Sequence, residues 1–206
     1  MTFKQTVTTE EELRGIVNYP SEVVQRKEIH TLDEHCKEYI AKSPFVMIAT
    51  SDADGSCDVS PRGDTPGFVK VLDEQHLVIP ERPGNRRVDS MRNILANPNV
   101  GLIFVIPGLK ETLRVNGRAC VTKDPELLQQ MVVKGNTPAL AIGVRVEQCF
   151  VHCAKAFIRS GLWEPDTWFS KEELPVPAKI LSAHAKMVTE KDVEQLLHES
   201  YTQRLY

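Results

Sequence analysis

The spacing of apolar residues changes several times along this chain, and each change marks an element. Near the start, Leu13, Ile16 and Val17 recur at helical spacing behind Thr9-Glu10-Glu11-Glu12, a capping-box sequence, and Pro20 stops the run. Thr31-Leu32-Asp33-Glu34 repeats the capping-box form and opens a helix predicted to reach about Ser43, just before Pro44. Residues 1–43 therefore read as an N-terminal helical extension. From Phe45 the pattern becomes that of strands. Phe45-Val46-Met47-Ile48-Ala49-Thr50, the turn Ser51-Asp52-Ala53-Asp54-Gly55 and Cys57 to Ser60 read as a hairpin. Phe68 to Leu72 and His76 to Ile79 form a second hairpin around Asp73-Glu74-Gln75.

Farther on, Val88, Met91 and Leu95 share one face of a helix predicted from Asn85 to about Asn97, before Pro98. Val100 to Ile106, Thr112 to Thr122 and Ala139 to Val151 read as strands. Asp124-Pro125 caps and starts a helix that Gly135 is expected to close, and Thr189 to Tyr201 is a terminal helix. Leu162 to Pro177, rich in Trp and Pro, reads as a loop. About six or seven strands that pair locally, with helices between them, predict an α+β, mainly β chain: an antiparallel barrel with α additions. No G-x-G-x-x-G follows the first strand, which disfavours a parallel dinucleotide-binding sheet.

Composition narrows the function without naming it. The 206 residues are 41% hydrophobic and 26% charged, values of an ordinary globular chain able to bury a core. A net charge of −3 argues against broad nucleic-acid binding. Met1-Thr2-Phe3-Lys4-Gln5 leads into a polar segment and no apolar run is long enough to span a bilayer, so a cytoplasmic protein with its five cysteines reduced is expected. Cys149 and Cys153 flank His152, but no second ligand pair stands at zinc-like spacing, and no metal is expected.

The densest chemistry lies in Arg82-Pro83-Gly84-Asn85-Arg86-Arg87, between an apolar strand and the helix expected to follow. Three arginines meeting the free N–H groups and positive pole of a helix start would make an anion site, most naturally for phosphate. Ser60-Pro61-Arg62-Gly63-Asp64 adds a hydroxyl and another arginine upstream. Each residue also has a plainer reading. Arg82 could pair with Glu81 or Asp89, Lys70 could be the outer face of a strand, and Trp163 and Trp168 could be core or interface.

Taken in order, these motifs resemble the pyridoxamine 5′-phosphate oxidase-like family of flavoproteins, in a branch distinct from the oxidase itself. They include Phe45-x-x-x-Ala49-Thr50, Ser60-Pro61-Arg62-Gly63-Asp64, Pro66-Gly67-Phe68-Val69, Ile79-Pro80-x-Arg82-Pro83-Gly84-Asn85-x-Arg87, Asn93-Ile94-x-x-Asn97-Pro98 and Leu113-Arg114-Val115-Asn116-Gly117-Arg118-Ala119. The resemblance implies a split β-barrel over residues 44–165, with 166–206 packed on it, and FMN held at the interface of a homodimer. It assigns phosphate binding to Lys70, Arg86 and Arg87 and places Pro80 and Thr112 beside the flavin ring. Ser60, Arg62, Arg82 and Asn85 join the expected site. So do His152, Lys155, Arg159, Ser160 and Trp163, although the spacing around Arg159-Ser160-x-x-Trp163 departs from that of the oxidase. The expected function is FMN-dependent electron or hydride transfer between a small substrate or nicotinamide and an acceptor. A non-catalytic flavin protein, heme binding through His152 and a deazaflavin-dependent reductase are the alternatives.

Overall fold

The computed structural model describes residues 3–206; Met1 and Thr2, at the head of the expected extension, lie outside the described residues. Three helices come first: α1 (Glu10–Val17), α2 (Glu22–Arg26) and α3 (Glu34–Lys42). Thr9 Oγ1 accepts from Glu12 N–H and the Glu12 carboxylate reaches back to Thr8 N–H, so the first capping sequence works much as its form suggests. The second is shifted. Asp33, not Thr31, caps α3, its carboxylate accepting from Cys36 N–H at 2.8 Å. Neither α1 nor α2 buries a residue, whereas α3 buries Cys36, Tyr39 and Ile40 in the core.

Seven strands follow, in one antiparallel sheet: β1 (Phe45–Ser51), β2 (Cys57–Gly63), β3 (Lys70–Val71), β4 (His76–Pro80), β5 (Asn99–Val105), β6 (Thr112–Thr122) and β7 (Ala141–His152). The spatial order is β2-β1-β5-β6-β7-β4-β3, so the two edge strands β2 and β3 are neighbours in sequence, joined by residues 64–69. The barrel is split at that seam. Its inner face follows the period of two: Val46 and Ile48 on β1, Leu102 and Phe104 on β5, and Leu113 and Val115 on β6 are buried, at 1% exposure or less. Each such side chain contributes about 1.5–3 kcal/mol by leaving water. Strand β4 is apolar on both faces because both are covered. Leu77 and Ile79 face the main core, while Val78 meets Leu128 and Met131 from outside, beneath α5 (Pro125–Gln129).

A bulge between Asn116 and Gly117 shifts the β6–β7 register and bends the long pair. A Cβ on Gly117 would lie 2.0 Å from the Arg145 carbonyl oxygen, so only glycine fits. Helix α4 (Asp89–Ala96) lies against β1, β2 and β6, held by Asn93 Nδ2, which donates to Thr50 Oγ1 (3.1 Å) and to the Asp58 carboxylate (2.9 Å).

The structure corrects several boundaries. Helix α4 begins at Asp89, four residues later than Asn85, because Arg86 and Val88 have φ of 62° and 53° and break the helical path. Helix α5 ends at Gln129 instead of running to Gly135. Lys134 and Gly135, both at positive φ, instead form a tight turn closed by mutual hydrogen bonds of Val133 and Asn136. Helices α6 (Lys155–Ser160) and α7 (Pro177–Ala185) stand where no helix was expected, and the loop between them contains a single 3-10 turn, Pro165–Thr167. Helix α8 (Glu190–Gln203) opens with Thr189 and Asp192 in a reciprocal capping box and packs on α7.

Candidate functional site

At the split, the end of β2, the end of β4 and the loop 81–88 enclose a cavity of about 380 Å3, within the usual range of small-molecule sites. Seven residues expected from the sequence line it: Ser60, Arg62, Pro80, Arg82, Asn85, Arg86 and Arg87. The loop is shaped by Asn85, whose side-chain oxygen accepts from Arg87 N–H at 3.0 Å. Val88 then takes a left-handed conformation, unusual for a β-branched residue and costing about 1–2 kcal/mol. It leaves α4 without a side-chain cap at the cavity wall. Arg86 and Arg87 thus stand just ahead of the helix, and the uncapped N-terminus itself faces the cavity.

The arginines differ in their commitments, and Arg82 takes neither of the partners suggested for it. Its Nε donates to Asp64 (2.7 Å) and its Nη1 to the Met131 carbonyl (2.8 Å), so it ties the segment after β2 to the segment after α5. Arg87 donates to Asp89 at 2.8 Å while remaining largely exposed. Arg62 lies 3.3 Å from Glu81, both half-buried. Arg86 is exposed and has no ion-pair partner among the described residues.

Two carboxyls at the seam are shifted in opposite directions. Burial pushes Glu81 above its ordinary value, with Arg62 pulling weakly the other way. For Asp64 burial also acts upward, but Thr65 N–H (2.7 Å), the Tyr206 hydroxyl (2.9 Å) and Arg82 outweigh it and hold the carboxyl low. Asp64 is therefore a fixed anion. Glu81 is an ill-satisfied one.

Among the described residues, three buried polar atoms lack a hydrogen-bond partner: Arg62 Nε, Ser90 Oγ and Glu81 Oε2, the last held only by its ion pair with Arg62. A buried polar atom without a hydrogen bond costs about 1–3 kcal/mol, and all three such atoms lie in side chains around this one cavity. Glu81 and Ser90 were not singled out from sequence. Ser90 sits in the first turn of α4, a signal hidden by the misplaced helix start.

The remaining expected residues lie elsewhere in this chain. Lys70, on β3, faces hollows beside α3 and α5 and does not line the cavity. Thr112 and His152 stand opposite each other on β6 and β7. Lys155, Arg159 and Ser160 belong to α6, and Trp163 follows it, stacked on Phe157 with Nε1 donating to the Leu109 carbonyl at 2.9 Å. This second set also lies outside the cavity. Cys149, beside His152, is buried with its Sγ 3.3 Å from that of Cys36, and all five cysteines are free thiols.

The family model described as pyridoxamine 5′-phosphate oxidase matches residues 32–153, more than half the chain. The chain belongs to that family, as its motifs suggested. The matched span runs from the residue before the α3 cap to the end of β7 and contains the whole cavity. No curated protein matches. Among solved structures, the chain is similar to HupZ of Group A Streptococcus (19% identity, TM-score 0.48, 58% of this chain and 92% of that one). It is also similar to an FMN-binding protein from Syntrophomonas wolfei subsp. wolfei (8%, 0.43, 57% and 88%) and to HutZ, the heme storage protein of Vibrio cholerae (20%, 0.41, 58% and 94%).

Proposed function

We propose that this chain is an FMN-binding flavoprotein that works as a homodimer and passes hydride or electrons between a small donor and an acceptor. One observation carries the reading: four arginines line a single cavity at the split of the barrel, together with Ser90, whose buried hydroxyl has no hydrogen-bond partner among the described residues. The donor set suits a phosphate dianion. Guanidinium N–H groups and the uncapped start of α4 are its best partners, with Ser90 Oγ a further donor. Arg86 and Arg87 would hold the phosphate at the rim, and Arg82 would hold the loop through Asp64. Pro80, Phe68 and Val88 would supply the apolar contact an isoalloxazine ring needs. The flavin, when bound, supplies the redox chemistry, so no nucleophile or triad is required of the protein.

The outer face of the sheet supports the dimer. Phe45, Met47, Val59 and Ile103 lie on the outside of β1, β2 and β5, with the small Ala49 and Gly101 between them, and Val59 is 66% exposed. All of these but Phe45 line a hollow of about 410 Å3 that also reaches Arg114 and Asn116. An apolar, close-approach surface of this kind suits a second copy. In such a pair Thr112, His152 and the α6 residues would come from the partner's chain to complete the site. No helix among the described residues is long and apolar enough to cross a membrane.

The test is a titration of the full chain with FMN and with riboflavin, followed by flavin fluorescence quenching. Loss of the phosphate removes at least one or two charge-assisted hydrogen bonds, so riboflavin should bind roughly a hundred-fold more weakly. Equal affinities would remove the phosphate site. Bleaching of the bound flavin by NADH or NADPH would identify a working reductase, and a Soret band in place of flavin bands would replace FMN by heme.

A further inference from the structure

The loop 81–88 has a second side. There, Val88, Met91, Pro138 and Leu140 line another cavity, of about 460 Å3, whose wall is completed by Tyr206. Tyr206 reaches it from the far end of the sequence and is fixed on both sides. Its hydroxyl donates to Asp64 Oδ1 at 2.9 Å, and Lys134 Nζ lies 4.7 Å from its ring centroid. With the hydroxyl committed to a carboxylate that also holds Arg82, the ring forms a stationary apolar wall. The polar groups here are few. Arg82 is committed and Glu81 faces Arg62, which leaves Arg86, lining both cavities, as the one guanidinium without an ion-pair partner among the described residues. A mostly apolar pocket of this size with one available cation is the pattern of a small-molecule site that orients a ring by a single charge. A second negative charge on the ligand would meet Glu81.

We propose that this cavity is a second binding site, for a flat aromatic ring bearing one carboxylate or similar single anion, with Tyr206 as its wall and Arg86 as its anion partner. The site does not require flavin in the neighbouring cavity. With flavin there, the two ligands would lie on opposite sides of one loop and share Arg86.

Calorimetric titration of the full, flavin-free chain with 2-naphthoate, and with its neutral twin 2-naphthalenemethanol, tests the proposal. One naphthoate should bind per chain. Arg86→Met should weaken naphthoate roughly ten-fold or more and leave the neutral compound within about two-fold, since one charge-assisted hydrogen bond is lost. Ala139→Trp, at an exposed position on the cavity wall, should fill the space and abolish binding of both compounds. Tyr206→Ala should weaken both. Failure of the wild-type chain to bind naphthoate saturably overturns the proposal. So does unchanged binding in Ala139→Trp, or in Tyr206→Ala should the tryptophan variant not fold. FMN affinity measured on Ala139→Trp should match wild type. The failure of FMN to bind any variant would strike the flavoprotein reading alone.

Discussion

Replacing Ser90 by alanine should move stability and FMN affinity in opposite directions. Ser90 is 1% exposed, and its hydroxyl has no partner in the ligand-free chain. A buried unsatisfied hydroxyl costs about 1–3 kcal/mol, and alanine is also the better helix former by a few tenths. Allowing for the small void left behind, the variant should gain about 0.5–2 kcal/mol without ligand. For a chain of this length each kcal/mol moves the melting temperature about 2–4 °C, so a rise of a few degrees is expected. If the hydroxyl meets the phosphate, the same change removes a hydrogen bond to a charged group, worth about 1.5–3 kcal/mol, or roughly ten- to hundred-fold in FMN affinity. Thermal denaturation with and without FMN, together with a flavin titration, measures both. A destabilised variant with wild-type affinity would show that Ser90 packs the helix and faces no ligand.

Arg86→Ala combined with Arg87→Ala should weaken FMN by about 3–6 kcal/mol at most, read as loss of flavin on gel filtration, while stability changes little because both residues are exposed. Asp64→Asn should cost about 2–4 kcal/mol at neutral pH, since it leaves Arg82 without its anion. The sign with pH follows from the depressed Asp64 carboxyl. Its contribution is complete above the unfolded value of about 3.9 and is lost as pH falls through the lower folded value, so denaturation midpoints of variant and wild type should converge only in strong acid. Gly117→Ala should destabilise by at least about 3 kcal/mol in urea unfolding, because its Cβ has no room beside the Arg145 carbonyl. Ile103→Asp, on the outer face of the sheet, should yield monomers in sedimentation and reduce FMN retention if the cofactor is shared.

The barrel was legible because its strands announce themselves by period. Val46 and Ile48 alternate with Met47 and Ala49, and even the continuous run Leu77-Val78-Ile79 has its cause in α5 covering the outer side. Short helices were not: α6 has six residues, too few for a period, and α7 begins at Pro177, a residue type that also ends loops. The start of α4 was misplaced because nothing local signals that Val88, a residue that resists it, will turn left-handed. The candidate site was half legible. The Arg86-Arg87 loop and the Ser60-Pro61-Arg62 turn do meet at one cavity. What local sequence could not reveal is which charges neutralise one another. Arg82 takes Asp64 and not its neighbours Glu81 or Asp89, and Tyr206 reaches Asp64 across 142 positions. Ser90 gains its interest only once the fold leaves its hydroxyl buried without a hydrogen bond, and Glu81 only once the fold sets it against Arg62.

A crystal structure of the full chain with FMN tests the central claim most directly. The account predicts the phosphate at the rim of the cavity at the barrel split, its oxygens about 2.7–3.2 Å from Arg86, Arg87 or Ser90 donors, with the second subunit closing over the ring. A flavin found elsewhere, with those three side chains facing solvent, would contradict it.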